Sequence, residues 1–458
     1  MSTVAVILAA GLGKRMKSTL PKVLHPILGD ASLLWVLRAL PREVDHAVVV
    51  LHHGKAQVEA ELEKWGLQGL LPCPVTTVDQ EAPLGTGHAV RAAEGELDRL
   101  GAQRLLILCG DVPLTQPSTL QELATGPAAL LAMELEQPGS YGRVLTHSDG
   151  TLAGMVEFKD ANEDERSIRV VNGGAYALPW QHLKPALRAL SSNNAQGEYY
   201  LTDAVVAVSQ ATPVQVEICD PAELLGMNSR LDQAELQAIA RERINEGWME
   251  EGVTFLEPGS TLVGPRVALA PDVLLEPGVR LEGAVSVGTG TRVGQGTVIR
   301  DSEVGAEVLI RPYCVIQQSQ VGSKAQLGPF AHLREGSILE EKVHIGNFVE
   351  TKKATLRAGA KANHLSYLGD TEVGERTNIG AGFISCNYDG AKKHRTTIGK
   401  DVFVGSDVQM VAPITIGDQV LIAAGSTLTK DVPDGALALS RTPQVNREGL
   451  GRRFLGRK

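Results

Sequence analysis

The strongest constraint on this chain is a repeat of six residues in its second half. Starting at Val263, an aliphatic residue returns at Leu269, Leu275, Leu281, Val287, Val293 and Ile299. A five-residue step resets the phase to Val304, Ile310 and Ile316, and another leads to Val321, Leu327, Leu333, Leu339 and Ile345. The pattern goes on at Val373 and Ile379, then at Ile398, Val404, Met410, Ile416, Ile422 and Leu428. Glycine follows several anchors, as in Val287-Gly288, Val321-Gly322, Ile345-Gly346 and Val404-Gly405. Random aliphatic spacing would not hold phase over so many hexads. A single hexad cannot bury its anchor alone, so coils must stack into a prism with the anchors inside. The spacing predicts a hexapeptide solenoid over 251–458, a segment that holds 28 of the chain's 49 glycines.

The first half has another rhythm. Apolar runs at 4–9, 47–51 and 105–109 alternate with stretches of helical period such as 87–100, which predicts an α/β sheet. Ligands of such sheets bind at the carboxyl ends of the strands, so two loops carry the chemistry. In L-A-A-G-L-G-K-R-M, at 8–16, Gly11 and Gly13 let backbone amides approach an anion, and Arg15 and the nearby Lys22 add charge-assisted contacts. Met16 stands where a dinucleotide fingerprint has its third glycine, and the Walker pattern is absent. The loop reads as a phosphate cradle or as a tight glycine turn beside two solvated cations. In C-G-D-V-P-L, Asp111 directly follows an apolar strand. A carboxylate there can hold Mg2+ against substrate phosphates, or serve as a turn or N-cap aspartate.

Between the halves, Leu231, Leu236, Ile239 and Ile244 recur at helical spacing, predicting a connecting helix and the divisions 1–229, 230–250 and 251–458. A helical strut would hold the two domains at a fixed separation. Other features exclude whole classes. A net charge of -9 argues against nucleic acid as the main partner. Five scattered cysteines with no CxxC pair point to a reducing, cytoplasmic setting. No apolar run of about 18 residues exists, so no membrane insertion is expected, and the apolar opening lacks the basic flank of a secretory signal.

Further wording narrows the reading: L-G-T-G-H-A at 84–89, P-K-V-L-H, Y-G-R, V-E-F-K-D-A, N-N-A-Q-G-E-Y-Y-L-T-D and G-M-N-S-R. From Val4 to about Arg453 the chain resembles the bacterial bifunctional N-acetylglucosamine-1-phosphate uridylyltransferases and glucosamine-1-phosphate acetyltransferases. The resemblance implies a Rossmann-like mixed sheet, a linker helix and a left-handed parallel β-helix that assembles as a homotrimer. It places Leu8, Ala9, Ala10, Gly11, Gln80, Gly85, Thr86, Cys109 and Gly110 around UTP, with Arg15 and Lys22 as catalytic cations on its phosphates. Asp111 and Asn228 would bind Mg2+, and Gly142, Glu157 and Asn172 would contact the N-acetylglucosamine unit. The chain departs from the family at Cys109 and Gly173, where tyrosine and threonine are frequent. Attack of a sugar phosphate on the α-phosphorus of UTP, with pyrophosphate leaving, needs charge neutralisation more than a strong base.

In the solenoid, K-A-N-H-L-S-Y-L-G-D carries His364, and the interval from 385 to 398 holds C-N-Y-D-G-A-K-K-H-R, a loop ejected from an otherwise regular coil. Taken alone, His364 reads as an ordinary solvated or hydrogen-bonded histidine. The resemblance makes it the general base of acetyl transfer, with no acyl-enzyme and with Cys386 incidental. It assigns Arg334, Lys352, Tyr367 and Asn378, with Glu350 nearby, to glucosamine 1-phosphate. Asn387 and Tyr388 would lie at the sugar and acetyl-CoA sites, and Ala381, Ser406, Ala424 and Arg441 would contact acetyl-CoA, some across a subunit boundary. The tail R-R-F-L-G-R-K reads as a mobile cationic end. The implied product is UDP-N-acetylglucosamine for peptidoglycan and lipopolysaccharide precursors, acetylation first and uridylylation second. Two rivals stand against this: a uridylylating enzyme whose solenoid only trimerises or senses an effector, and a non-catalytic sugar-nucleotide binding or assembly protein. CoA release would eliminate the first and pyrophosphate release the second.

Overall fold

The computed structural model describes residues 2–456. The chain divides into two compact units, Met1–Ala240 and Arg241–Lys458.

The first unit is built on a nine-stranded mixed sheet. Along its main path the order is Gln215–Ile218, Ala129–Glu134, Val170–Pro179, Arg104–Cys109, Thr3–Leu8, Val44–Leu51 and Val75–Asp79. Thr3–Leu8 runs parallel to both its neighbours, and Val4, Ala5, Val6 and Ile7 are fully buried. A strand covered on both faces needs the continuous apolar run seen in the sequence. Val170–Pro179 is antiparallel to both of its neighbours, which makes the sheet mixed. Leu8 lies opposite Cys109, so the two candidate loops leave adjacent strands at the same edge. The single helical stretch expected at 87–100 is instead two helices, Thr86–Ala92 and Glu94–Arg99. Ala93, fully buried, closes a tightened bond to the Val90 carbonyl (3.1 Å) that separates them.

The connecting helix is Arg230–Glu250. Leu236 and Ala240 are buried, whereas Leu231 is 82% exposed. The first turn instead turns polar groups inward: Arg230 donates to His25 Nδ1 (3.0 Å) and Gln233 to the Pro26 carbonyl (2.8 Å). Near its end, Ile244 and Trp248 pack on the solenoid core, and buried Asn245 donates to the carbonyls of Pro258 and Thr261.

The second unit is a left-handed parallel β-helix whose three faces are parallel sheets of 11, 10 and 9 strands. The hexad anchors line its core. Between Ile345 and Val373, where the aliphatic signal lapses, the core continues through Thr351, Leu356, Ala362 and Leu368, all fully buried. Thr351 fits because its hydroxyl bonds Ser337 Oγ at 2.8 Å. The glycines after the anchors mark places where coils touch. A Cβ on Gly346 would lie 1.9 Å from the Asn363 carbonyl oxygen, and one on Gly405 2.5 Å from the Ala424 nitrogen. Leu356 pairs with Val373, 17 positions on, but Val373 pairs with Ile398, 25 positions on. The surplus forms the expected excursion, closed by a Tyr388–Lys393 bridge and a His394–Asp389 contact of 2.7 Å. In the tail, Leu450–Phe454 is a short helix, while Arg457 and Lys458 lie outside the described residues. Among the described residues, no helix is long and apolar enough to cross a membrane.

Candidate active sites

In the first unit, a cleft of about 460 Å³ is lined by Leu8, Ala9, Ala10, Gly11, Lys22, Gln80, Gly85, Thr86, Cys109 and Asp111, all expected at the nucleotide. Leu12, Val23, Pro83, Ala89 and Glu198 also line it, and no motif had singled them out. Its walls are fixed by backbone contacts. Buried Gln80 donates to the Gly85 carbonyl (2.9 Å), and Thr86 Oγ1 accepts the Leu201 amide (3.1 Å). Gly85 has φ +113°, and a Cβ there would meet the Tyr199 carbonyl oxygen at 2.6 Å, so the turn requires glycine. Gly110 donates to the Leu8 carbonyl and accepts from Ser32 Oγ, tying the two strand ends together.

At the mouth, Lys22 Nζ pairs with Asp111 Oδ2 and lies 3.2 Å from Asn228 Oδ1. The ammonium thus stands where a cation bridging those two oxygens would stand. Asn228 is held from behind by Asp232, whose carboxylate accepts the amides of Asn228 (2.8 Å) and Ser229 (2.9 Å). Ser229 Oγ accepts the Asp232 amide in return, a reciprocal cap on the connecting helix. Arg15 does not line the nucleotide cleft; it borders a neighbouring one of about 400 Å³ with Tyr141, Asn228, Asp232 and Glu235. The Cys109 thiol is pushed up to about 12, by burial first and by Asp111 second, so it is protonated and no nucleophile.

The three expected sugar contacts converge. The Asn172 amide donates to the Gly142 carbonyl (2.9 Å), and a Cβ on Gly142 would sit 3.3 Å from the Glu157 carboxylate. Burial raises the Glu157 carboxyl above its ordinary range, a bond from Thr202 opposes the shift, and Asp203, Asp160 and Glu198 reinforce it. Gly173 could not carry a side chain here: its Cβ would fall 2.3 Å from Leu224 Cδ1 and 2.9 Å from the Leu131 carbonyl oxygen. Leu224 occupies the space a threonine would need.

In the solenoid, His364 Nδ1 lies 3.0 Å from Asn347 Oδ1. An amide oxygen there accepts the Nδ1 proton and leaves the Nε2 lone pair free, the tautomer a general base requires. Asn347 escaped the motif reading, yet it sits 17 positions before His364 and is its register partner, so the coil length would have found it. Ala381 is 17 positions beyond His364, and Ser406 and Ala424 follow 25 and 18 positions further, in step with the coils. These residues form one column, and Arg441 donates to the Ala424 carbonyl at 2.9 Å. Arg334 and Lys352 share a face with Tyr367; Arg334 pairs with Glu350 (2.8 Å) and Lys352 with Glu335 (2.7 Å). Asn387 donates to Asp370 Oδ2 (2.6 Å) and lies beside the Tyr367 hydroxyl around Gly369. Asn378 is not on that face; it belongs to the sheet that carries His344 and Lys361. Tyr388 is 61% exposed, at the excursion.

Comparison with known proteins follows the same division. Residues 5–168 match the MobA-like NTP transferase domain, 263–362 the GMPPB C-terminal domain, and 395–430 the bacterial transferase hexapeptide (six repeats). The bifunctional protein GlmU of Pelobacter propionicus is 44% identical over 453 residues, covering 97% of each chain. That of Stutzerimonas stutzeri is 45% identical over 463 residues, covering 99% of each. This chain belongs to the GlmU family. It is a bifunctional transferase that makes UDP-N-acetylglucosamine in two steps, acetyl transfer to glucosamine 1-phosphate and uridylyl transfer from UTP. A crystal structure of UDP-glucose pyrophosphorylase complexed with UDP-glucose matches 53% of this GlmU-family chain and 100% of its own at 17% identity, with a TM-score of 0.44.

Proposed function

We propose that the cleft in the first unit performs the uridylyl transfer and the His364 corner the acetyl transfer, on separate sets of residues. The observation that carries the first assignment is the convergence of Asp111 and Asn228 oxygens on one cationic centre, filled by the Lys22 ammonium. One carboxylate and one amide oxygen suit Mg2+, which keeps several waters and takes its other ligands from substrate phosphates. Bound there, Mg2+ would neutralise charge on the nucleotide and sugar phosphates. Lys22 would then be released toward the phosphates, with Arg15 adding a second positive charge from the neighbouring cleft. Gly142, Glu157 and Asn172 would orient the N-acetylglucosamine unit, so that its phosphate attacks the α-phosphorus of UTP.

In the second unit, His364 Nε2 would take a proton from the amine of glucosamine 1-phosphate as it attacks the thioester carbonyl, and pass it to the sulfur as the C–S bond breaks and CoA leaves as its thiol, with Asn347 fixing the ring. Arg334 and Lys352 would exchange their carboxylate partners for the sugar phosphate. The His364–Ala381–Ser406–Ala424 column with Arg441 would line the coenzyme. Asn378 lies on another face from Arg334 and Lys352, so a complete site is best supplied by copies packed face to face, in a homotrimer. Free cysteines throughout the described residues accord with work in the cytoplasm.

Asp111→Ala should abolish Mg-dependent pyrophosphate release while CoA release continues, and His364→Ala should do the reverse. Loss of both activities in either variant would refute separate sites.

A further inference from the structure

The strand Val170–Pro179 carries a break in register that sequence motifs did not flag. Asn172 lies opposite Ala132, Ala175 opposite Leu131 and Tyr176 opposite Leu130. Four residues along this strand therefore advance only two positions along its partner, because Gly173 and Gly174 bulge out. In a regular strand, residues four apart stand about 13 Å from one another; two ladder positions bring them to about 7 Å, on one face. Gly174 makes this possible with φ +75°, and Gly173 because no Cβ fits beside Leu224.

The bulge brings two side chains together. Asn172 Nδ2 donates to the Tyr176 hydroxyl at 2.7 Å, and Asn172 Oδ1 accepts the Gly174 amide at 3.0 Å. Both ends of the carboxamide are thus held. Turning the amide over would set its NH2 against the Gly174 N–H, two donors face to face, so one orientation is fixed. The remaining N–H and lone pair of Asn172 are left for a ligand. Tyr176 is only 2% exposed, so its hydroxyl can act on substrate only through Asn172. Burial raises its pKa further, which keeps the phenol protonated.

We propose that Tyr176 is a positioning residue for the sugar-phosphate substrate of the uridylyl transfer, aiming the Asn172 carboxamide at the N-acetylhexosamine unit across the two-glycine bulge. This rests on the reading of Asn172 as a sugar contact. The test uses the full-length enzyme with N-acetylglucosamine 1-phosphate, UTP and Mg2+, and compares Tyr176→Phe with Asn172→Ala. Tyr176→Phe removes a single buried oxygen. It should raise KM for the sugar phosphate about 5- to 20-fold while kcat, KM for UTP and CoA release stay within about twofold. Asn172→Ala should raise the same KM at least as much. Should Asn172→Ala raise it and Tyr176→Phe leave it unchanged, the positioning role is overturned while the contact stands. Should Asn172→Ala leave it unchanged, the sugar-contact reading falls and the inference with it. A Tyr176→Phe enzyme that loses kcat and UTP affinity together, with a lowered melting temperature, would show a merely structural tyrosine.

Discussion

Single residues make the two sites unequal in what they ask of protons. The site proposed for uridylyl transfer would work by fixed charge: Lys22 lies against Asp111 and Asn228, and Arg15 borders the neighbouring cleft. Among its carboxyls Glu157 is held above the ordinary range, by burial first and by Asp203, Asp160 and Glu198 beside it. A carboxyl whose folded-state pKa exceeds its unfolded value binds its proton more tightly when folded. It favours folding at low pH, and that contribution is lost as pH rises through the raised value. At pH 7, above the ordinary carboxyl pKa, the buried carboxyl therefore costs stability that a neutral amide would not. Glu157→Gln should raise the melting temperature by about 1–4 °C at pH 7, and by nothing measurable near pH 4. It should also raise KM for N-acetylglucosamine 1-phosphate. A site residue kept at a cost in stability fits the usual trade between activity and stability. A scanning-calorimetry series across pH checks both halves; equal stabilisation at both pH values would mean the charge is not the cause. That the glycine loop and the strand-end Asp111 line one cleft was legible in the chain, because both follow neighbouring apolar strands. Thr202 and Tyr176 were not, since partners that act through a hydrogen bond to another side chain leave no local pattern.

At the scale of elements, the solenoid was the easier half to read, and its failures are instructive. The anchors from Val263 to Ile345 were found because aliphatic side chains repeat in phase, and the structure buries them in one core. Thr351 and Ala362 broke the aliphatic signal without breaking the coil, since a bonded hydroxyl and a methyl group fill their places. The connecting helix was found by its spacing, but spacing did not tell which face is covered: Leu231 is exposed, and Arg230 and Gln233 make the inward contacts. The corner glycines connect the repeat to the proposed acetyl site. Gly346 abuts the backbone of Asn363, the residue before His364, with no room for a Cβ. Gly346→Ala should therefore displace the strand Lys361–His364 and lower kcat/KM for CoA release at least about tenfold. Uridylyl transfer should hold, since its residues lie in the other unit. Retained acetyl transfer would show that the coil relaxes around the methyl group. Within the core, Phe383→Ala should destabilise the solenoid by about 3–5 kcal/mol, read as a shifted denaturation midpoint, because Phe383 is fully buried.

For the whole molecule, the two activities should differ in how they depend on assembly. Every residue assigned to uridylyl transfer falls between Leu8 and Asn228, inside one compact unit of one chain. The acetyl set is divided: Arg334, Lys352 and Tyr367 occupy one face of the prism, and Asn378 another. Exposed Tyr313, Phe330 and Phe348, stacked at 5.5 and 5.3 Å, run along the same corner and end one coil before Leu365, the residue after His364. Such an apolar ladder beside a divided site is what a surface covered by another copy would present. Mass action then sets the test. Below the dissociation constant of the assembly, CoA release per chain should fall steeply with dilution, while pyrophosphate release per chain stays level. Sedimentation velocity over the same concentrations should place the loss of CoA release at the step where the assembly dissociates. A parallel decline of both activities, or full acetyl transfer by a monomer, would mean that one chain closes the second site alone and that Asn378 has no part in it.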